Sequence, residues 1–294
     1  MPALPKEWDA ERAVGPDEAR ALIRGQFPDV AAERVEPIGE GWDNTVYRVD
    51  GRWAFRFPRR ALGATLLHAE WTVLRRVGGR LPLPVPEAAY LGRPAGGYPW
   101  SFLGLTYLPG RDAVGLTEAQ RRATAAPLGR FLRALHDTEP PDDVPGDTIG
   151  RMDLARRVPW ARRRLAALEE AGLVDGPGPW LPLFEGLPAG PRPQGLVHGD
   201  LWVRQMLVDE SGAIAGVLDW GDAHRGDPAA DLMVLFSLLP RDARPEFEAA
   251  YGPVDDATLR LARLRTLHHT ASAAPYAQDT GDAALLAEAR RGLG

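Results

Sequence analysis

The sequence contains no cysteine, and lysine occurs only once, at Lys6, so that 34 of its 35 basic residues are arginine. The absence of cysteine excludes disulfides, thiol catalysis and thiolate metal sites. The scarcity of lysine means that a permanent positive charge anywhere after Lys6 must come from arginine. Arginine differs from lysine because its planar guanidinium makes forked contacts with carboxylates and phosphates.

The chain also lacks an excess of positive charge and any long hydrophobic run. Its formal net charge is −5 and its isoelectric point is near 5.7, which gives no electrostatic reason to expect binding to nucleic acid or to anionic lipid. No run approaches the roughly 18 apolar residues of a membrane span, and the first residues lack the apolar core of a signal peptide. We therefore expect a cytoplasmic protein with no nucleic-acid or membrane partner.

What is present indicates a globular enzyme-sized chain. The 294 residues are 45% hydrophobic and 26% charged, enough for one large domain or two coupled lobes. Apolar spacing predicts a short helix at 16–27 and another at 64–77. Between them, alternating apolar residues on both sides of Asp50-Gly51 predict a β-hairpin. A further strand ends at the Pro109-Gly110 turn.

The chain after that turn has a mainly helical pattern. Thr117 and Gln120 have the spacing of a capping box, and Pro127 must kink or restart the helix that follows. Residues 153–171 predict another helix, while a second hairpin follows residue 205. We therefore predict an α+β, bilobal fold, with a small β-rich N-terminal lobe and a larger, mainly helical C-terminal lobe. The lobes are expected to span residues 1–108 and 109–294.

Three polar side chains near the second hairpin carry the chemistry. Asp200 lies within "LVHGDLWVRQMLVD", Gln205 follows five residues later, and Asp219 lies in "LDWGD". If Gln205 begins one strand and Asp219 ends its partner, they approach each other beside Asp200. Carboxylate and amide oxygens are ligands that Mg²⁺ prefers, and a separate carboxylate can accept a proton from an attacking hydroxyl. This arrangement is typical of phosphoryl transfer.

These motifs resemble the aminoglycoside phosphotransferase family, whose fold is similar to that of eukaryotic protein kinases. The segments "HGDLWVRQ" and "LDWGDAHRGDPAADL" follow the order of that family's catalytic loop, hairpin and metal-binding segment. The resemblance implies Asp200 as the catalytic base and Asp219 as the main metal ligand. It implies Asp231 as a structural acid supporting the loop, and the position of His198 before Gly-Asp suits a hydrogen-bonding support role.

The first half resembles the nucleotide-binding part of the same family. Gly39 and Gly41 lie in "IGEGWDNTVYRV", which looks like the hairpin that covers the nucleotide. Glu70 lies in the segment similar to the helix that supplies a glutamate. The hinge that contacts the base through its backbone corresponds to "LTYLPG", with Thr106, Tyr107 and Leu108. The implied cofactors are Mg²⁺ and either ATP or GTP as phosphoryl donor.

Two positions depart from the family pattern. Where a kinase lysine would hold the α- and β-phosphates and pair with the glutamate, this chain offers Arg56, with Glu70 as its partner. The metal-binding amide is usually asparagine, or histidine in members resembling macrolide kinases, but here it is Gln205. Glutamine keeps the carbonyl oxygen one methylene further out, so it could bind through water, hold one ion instead of two, or leave the site weak.

Two classes of function remain open at this point. In the first, the protein is a small-molecule kinase, most simply of the aminoglycoside antibiotic type, with a macrolide or a metabolite alcohol as the alternative acceptor. In the second, it is a catalytically degenerate kinase fold that binds nucleotide or a partner. Acids in the helical half could line a pocket for a cationic substrate, although they are more typical of solvated helix surfaces: Glu246, Glu248, Asp255, Asp256, Asp279 and Asp282.

Overall fold

The structure is a computed structural model that describes residues 10–41, 43–174, 178–187, 192 and 195–294. Lys6 and Trp42, both part of the sequence argument, lie outside the described residues. The chain packs as two compact units. Unit 1 consists of residues 1–80, 85–108 and 219–222, and unit 2 of residues 81–84, 109–218 and 223–294. The expected ranges 1–108 and 109–294 differ from these units in the two short segments 81–84 and 219–222.

Unit 1 contains an antiparallel sheet of five strands within its described residues, in the order β1-β2-β3-β5-β4. Its elements are α1 (Pro16–Gln26), β1 (Val35–Glu40), β2 (Asn44–Val49), β3 (Trp53–Pro58), α2 (Ala61–Val77), β4 (Ala88–Gly92) and β5 (Phe102–Thr106). The predicted hairpin is confirmed, because β2 pairs with β3 and the chain reverses at Asp50-Gly51 with both residues in the left-handed region. The sequence analysis did not predict β4.

Aromatic rings fill the core of unit 1. Phe57 stacks on Phe102 with ring centroids 4.8 Å apart, and Phe55 stacks on Tyr90 at 5.8 Å. Gly104, on β5, lies directly against this layer. A Cβ added there would meet Phe55 at 2.7 Å and Tyr90 at 2.9 Å, so the close approach of the rings requires glycine.

Unit 2 is mainly helical. Its elements are β6 (Arg111–Asp112), α3 (Glu118–Ala123), α4 (Ala125–His136), α5 (Leu154–Glu170), β7 (Gly195–Val197), β8 (Met206–Val208), β9 (Ile214–Val217), β10 (His224–Gly226), α6 (Val234–Ser237), α7 (Arg244–Tyr251), α8 (Asp256–Thr280) and α9 (Ala283–Leu293). Strands β6, β8 and β9 form one sheet, and β7 pairs with β10. The α+β class predicted from the sequence is confirmed, and no described helix is long and apolar enough to cross a membrane.

The capping box and the helix restart are found where the sequence predicts them. The Thr117 side chain accepts a hydrogen bond from the Gln120 N–H, while the Gln120 side chain accepts one from the Thr117 N–H. Helix α3 then ends at Ala123 and α4 begins at Ala125. Pro127 therefore lies in the first turn of α4, where the missing N–H leaves no hydrogen bond unmade.

The second hairpin is confirmed, but its two chemical residues lie outside the strands. Gln205 ends a 3₁₀ turn (Val203–Gln205) immediately before β8. Asp219 lies two residues beyond β9, with a left-handed φ of 63°. The expectation that Gln205 begins a strand and Asp219 ends its partner is therefore wrong. A left-handed residue cannot continue a strand, so the chain turns away from the ladder there.

Replacing Gly104 by alanine tests how tightly the sheet packs on its aromatic layer. The added Cβ forces the Phe55 ring and the β4 backbone apart, and overpacking of this kind costs about 1–3 kcal/mol. Gly25→Ala is the matched control, since its Cβ would meet nothing within 4 Å on helix α1. Urea unfolding should show a lower unfolding free energy for Gly104→Ala, and an unchanged or slightly higher one for Gly25→Ala. Equal stabilities of the two variants would contradict this packing.

Candidate active site

A buried carboxylate organises the loop that carries Asp200. Asp231 is fully buried, and it accepts hydrogen bonds from the backbone N–H groups of His198 and Gly199, each at 2.8 Å. It also accepts from His136 Nε2 at 3.0 Å. Because an ionised carboxylate can only accept, His136 must carry a proton on Nε2, and its Nδ1 lies 2.8 Å from the Tyr251 hydroxyl, within hydrogen-bonding distance.

These contacts decide the ionisation of Asp231. Burial alone would raise the pKa of its carboxyl, but the hydrogen bond and charge of His136, together with the His198 N–H, lower the pKa below the ordinary value. The carboxylate therefore stays charged and keeps both backbone donors. Gly199 adopts a left-handed φ of 82°, a conformation that glycine reaches without steric cost.

The side chain of His198 supports the same loop from inside. It is fully buried, and its Nε2 donates to the Leu218 carbonyl at 2.8 Å. Its Nδ1 accepts from the Asp200 N–H at 3.4 Å. With both ring nitrogens engaged in this way, His198 links the Asp200 loop to the end of the β8-β9 hairpin.

Asp200 is surrounded by positive charge. Its Oδ1 contacts Arg265 Nη2 at 2.8 Å, Arg151 Nη1 at 3.3 Å and His269 Nδ1 at 3.4 Å. All three contacts are made to the same oxygen. Within the described part of the chain, Oδ2 has no hydrogen-bonding partner, which leaves this oxygen to accept from a hydroxyl.

The charges also set the ionisation of Asp200. Burial alone would raise the pKa of its carboxyl, but Arg151, His269 and Arg265 outweigh that effect and hold the pKa well below the ordinary range. The carboxylate is thus ionised at any physiological pH, and it is a weak base. Such a group suits a reaction in which the carboxylate orients a hydroxyl instead of removing its proton early.

Sequence reasoning missed Arg151, Arg265 and His269. The adjacent His268 and His269 diverge, since His268 contacts Arg157 at 2.8 Å while His269 faces Asp200. The spacing of Arg265 and His269, four residues apart on α8, is the signal that could have placed both on one helix face. Burial lowers the pKa of His269 and outweighs the opposing pull of Asp200.

Gln205 has the feature expected of an unused ligand. Its backbone oxygen accepts from the Leu218 N–H at 2.7 Å, which anchors the residue beside the end of β9. Its side-chain oxygen Oε1 is buried and has no hydrogen-bonding partner among the described residues. A buried acceptor without a donor is costly, so a cation or an ordered water at this oxygen would stabilise it.

In unit 1, Arg56 contacts two carboxylates. Its Nη1 lies 2.5 Å from Glu70 Oε1, and its Nη2 lies 2.6 Å from Asp219 Oδ1. Glu70 also accepts from the Trp220 N–H at 3.2 Å. The sequence predicted Glu70 as the partner of Arg56 but not Asp219. The second contact is possible because a guanidinium presents two nitrogens to separate acceptors, whereas an ammonium is a point charge.

Burial has opposite effects on the two members of the Arg56–Glu70 pair. It raises the pKa of Glu70 to about 7 against the pull of Arg56. Burial would lower the pKa of Arg56, but Asp219 and Glu70 raise it further above its ordinary value. Arg56 is therefore a permanent cation. The Asp219 side chain remains half exposed, so its carboxylate can still reach a ligand.

The glycines and the hinge residues have simple surroundings. A Cβ added at Gly39 would meet nothing within 4 Å, and one at Gly41 would meet only the Asn44 carbonyl at 3.9 Å. The protein alone thus has no steric need for either glycine.

The hinge residues differ in their backbone contacts. Thr106 and Tyr107 donate their backbone N–H groups to Glu87 and Arg52 carbonyls within unit 1. Of the three hinge residues, only Leu108, the last of that segment of unit 1, could offer an N–H to a nucleotide base.

No group of three or more His, Asp or Glu residues in the described ranges could hold a metal ion. This finding is compatible with Mg²⁺, which keeps several waters and is commonly bound through one or two protein oxygens plus substrate phosphates. The orphaned Gln205 Oε1 and the half-exposed Asp219 carboxylate are oxygen donors of that kind.

Comparison with known proteins identifies a family from the sequence and a shared fold from the structure. Residues 34–265 match the model of the phosphotransferase enzyme family, APH. The structure superposes on the GDP and kanamycin complex of APH(2")-IIia with a TM-score of 0.68, 24% identity and coverage of 94% of this chain and 96% of that one. With macrolide 2'-phosphotransferase MphH from Brachybacterium faecium, the TM-score is 0.57, with 22% identity and coverage of 95% and 97%. At these identities the likeness shows the fold.

Among curated proteins, the uncharacterized protein YcbJ of Bacillus subtilis (strain 168) is 41% identical over 44 residues. The match spans 15% of this chain and only 14% of YcbJ.

Replacing Asp231 by asparagine should destabilise the protein strongly. The amide keeps one acceptor oxygen but turns an NH₂ group toward donors, and breaking a buried, paired charge costs about 3–5 kcal/mol. The folded-state pKa of Asp231 is depressed, so its stabilisation is present above the ordinary carboxyl pKa and is lost as the pH falls. The gap in unfolding free energy between wild type and variant should therefore narrow below pH about 4.

Asp227→Asn is the matched control for Asp231→Asn. Burial raises the pKa of Asp227 and outweighs both Arg192, 3.4 Å from its Oδ2, and the Ala229 N–H; that backbone contact needs only one acceptor oxygen. Guanidinium unfolding measured across pH should show only a small loss of unfolding free energy for Asp227→Asn. Equal losses at both positions would show that the Asp231 network does not carry the loop.

Proposed function

Because this chain belongs to the phosphotransferase enzyme family, we propose that it transfers the γ-phosphate of ATP or GTP to a hydroxyl of a small molecule. The observation that carries the proposal is the state of Asp200, which is ionised, held at Oδ1 by three donors and free at Oδ2. Oδ2 accepts the hydrogen bond of the acceptor hydroxyl and receives its proton as the phosphoryl group transfers.

The low basicity of Asp200 suits this reaction. Phosphoryl transfer passes through a loose transition state in most analyses, so the attacking oxygen keeps its proton until late. The carboxylate then contributes mainly by orienting the hydroxyl. Arg265 and His269 act as positioning residues, because they hold the opposite oxygen of the same carboxylate.

On the nucleotide side, Arg56 supplies the positive charge for the phosphates. Its fork is occupied by Glu70 and Asp219 when no nucleotide is bound, so the phosphates compete with Asp219 for the second nitrogen. Gly39 and Gly41 allow the backbone to approach the nucleotide closely, which explains glycines that nothing in the protein itself requires. Thr106, Tyr107 and Leu108 contact the base.

Gln205 and Asp219 are the residues that would hold Mg²⁺, each through one side-chain oxygen. The ion would neutralise charge on the phosphate oxygens of the donor. The role of the chain is to keep these two oxygens available: the Leu218 contact anchors the Gln205 backbone, and the left-handed turn at Asp219 leaves its carboxylate half exposed. Asp231 and His198 support the loop that carries Asp200.

The family makes an aminoglycoside-type antibiotic the first acceptor class to test and a macrolide the second; either would be consistent with a role in antibiotic resistance. The positive charge beside Asp200 favours a third class of acceptor, a hydroxylated metabolite that carries negative charge. Two arginines face one carboxylate, and burial together with the charges of Arg265 and Arg157 lowers the pKa of nearby His268 to about 2. A polycationic aminoglycoside is disfavoured in such surroundings, whereas a hydroxylated metabolite with a carboxylate or phosphate is attracted.

Three of the six acids that could have formed a cationic pocket have other positions. Asp255 caps helix α8, and Asp282 caps helix α9 while pairing with Arg204. Glu246 is exposed in the first turn of α7. Their positions are those of helix caps and solvated surface, which supports the metabolite class of acceptor over a polyamine.

Asp200→Asn should abolish acceptor-stimulated release of ADP or GDP while nucleotide affinity changes little, because the amide keeps the shape of the side chain but cannot receive the proton. Release would be measured with Mg²⁺ across kanamycin, erythromycin, hydroxy acids and the uncharged alcohols matching those acids. Stimulation by hydroxy acids above their alcohols favours the anionic acceptor; stimulation by kanamycin favours the antibiotic. Wild-type turnover in the variant would remove Asp200 from the chemistry.

Gln205→Asn distinguishes an active kinase with a displaced ligand from a degenerate fold. If the extra methylene weakens magnesium binding, asparagine should lower the Mg²⁺ concentration needed for half-maximal nucleotide binding by about tenfold, equivalent to about 1.4 kcal/mol. The measurement is calorimetry of nucleotide binding at varied Mg²⁺, so it needs no known acceptor. Gln120→Asn, on the capping box of α3, is the control for the substitution itself. A Mg²⁺ dependence unchanged by Gln205→Asn would count against Gln205 as a ligand.

A further inference from the structure

A polar cavity lies in unit 2 and shares no residue with the cluster around Asp200. Its volume is about 320 Å³. Four arginines and two aromatic rings form most of its polar and flat surfaces: Arg241, Arg244, Arg263, Arg291, Trp180 and Phe236. The walls thus combine guanidinium groups with apolar faces, as in sites for small organic ligands.

The arginines of this cavity have too few carboxylates. Arg291 pairs with Glu118. Among the described residues, Arg241, Arg244 and Arg263 have no carboxylate within ion-pair distance; the one hydrogen bond of their side chains runs from Arg244 Nε to the Leu235 carbonyl at 3.2 Å. In contrast, the buried arginines elsewhere, such as Arg56, are neutralised by carboxylates.

Two of these guanidiniums lie over aromatic rings. Arg244 lies over Phe236 with 4.3 Å between its Cζ and the ring centroid, and Arg263 lies over Trp180 at 5.1 Å. A stacked guanidinium keeps its N–H edge available for hydrogen bonds, and the stacking reduces the side-chain entropy that a ligand would otherwise have to remove. The donors are therefore preorganised.

The like charges repel one another. Burial, and then the neighbouring charges of Arg241 and Arg263, lower the pKa of Arg244, with Glu248 offsetting only part of the effect. Arg241 is exposed and Arg244 and Arg263 are partly buried, so water screens the repulsion among these three cations only in part. A bound anion would offset the remaining repulsion through charge-assisted, bidentate hydrogen bonds.

We propose that this arginine cavity binds a small organic anion bearing phosphate or carboxylate groups, with its apolar part against Trp180 and Phe236. The site is independent of the proposed phosphoryl transfer, because none of its residues belongs to the Asp200, Arg56 or Gln205 machinery. The class of ligand follows from guanidinium geometry, which matches both phosphate and carboxylate.

The test is calorimetric titration of the full chain with phenyl phosphate, benzoate, inorganic phosphate and, as the uncharged probe, phenol, all at constant ionic strength. We expect saturable binding of phenyl phosphate or benzoate and none of phenol. Tighter binding of phenyl phosphate identifies phosphate as the preferred group, and tighter binding of benzoate identifies carboxylate. Arg263→Gln and Arg244→Gln should each weaken the binding about tenfold, equivalent to about 1.4 kcal/mol.

Two further variants separate a binding defect from a folding defect. Arg241→Gln removes a charge whose side chain forms no ion pair or hydrogen bond with the described residues, so its thermal stability without anion should equal or exceed that of wild type while its anion affinity falls. Arg290→Gln, exposed on α9 and outside the cavity lining, should bind as wild type does. The proposal is overturned if no anion binds saturably, or if all four variants bind alike.

Discussion

The loop that carries the candidate catalytic residue depends on one buried carboxylate. Asp231 accepts two consecutive backbone N–H groups, from His198 and Gly199, and a third hydrogen bond from His136. Since a buried N–H without a partner is costly, the loop has one favourable conformation, in which both donors point at Asp231. That conformation places the Asp200 side chain against Arg265 of helix α8. It also places His198 against Leu218 at the end of the β8-β9 hairpin.

Because lysine is nearly absent, arginines supply the positive charge beside Asp219 and beside Asp200. Arg56 and Arg265 each contact an acid essential to the proposal, Asp219 and Asp200 respectively. An arginine cannot be deprotonated and can bridge two acceptors, so each carboxylate is held in a fixed orientation. The same property explains the weak basicity of Asp200, which suits a reaction with little need for early proton removal. It is also the basis for proposing an anionic acceptor over one with several ammonium groups.

Local patterns predicted the parts of the fold that local physics controls. The Asp50-Gly51 hairpin, the Thr117 capping box and the break before α4 depend on residues within a few positions of one another, and all three are present. The sequence-based resemblance to the phosphotransferase family and its α+β fold is likewise confirmed by the comparisons. Strand β4 was missed because Tyr90 is its main aromatic and its neighbours are small, which leaves little alternation to detect.

The sequence by itself determined the order of the motifs, the pairing of Arg56 with Glu70, the departure at Gln205 and the family. Only the tertiary structure decided which cations face Asp200, that Asp219 shares Arg56, and that three arginines without carboxylate partners line one cavity. The physical reason is separation along the chain. Arg265 lies 65 residues from Asp200 and Asp219 lies 163 residues from Arg56, distances over which no periodicity in a sequence specifies contact. Charge interactions depend on distance in space, which the packing of helices and strands alone sets.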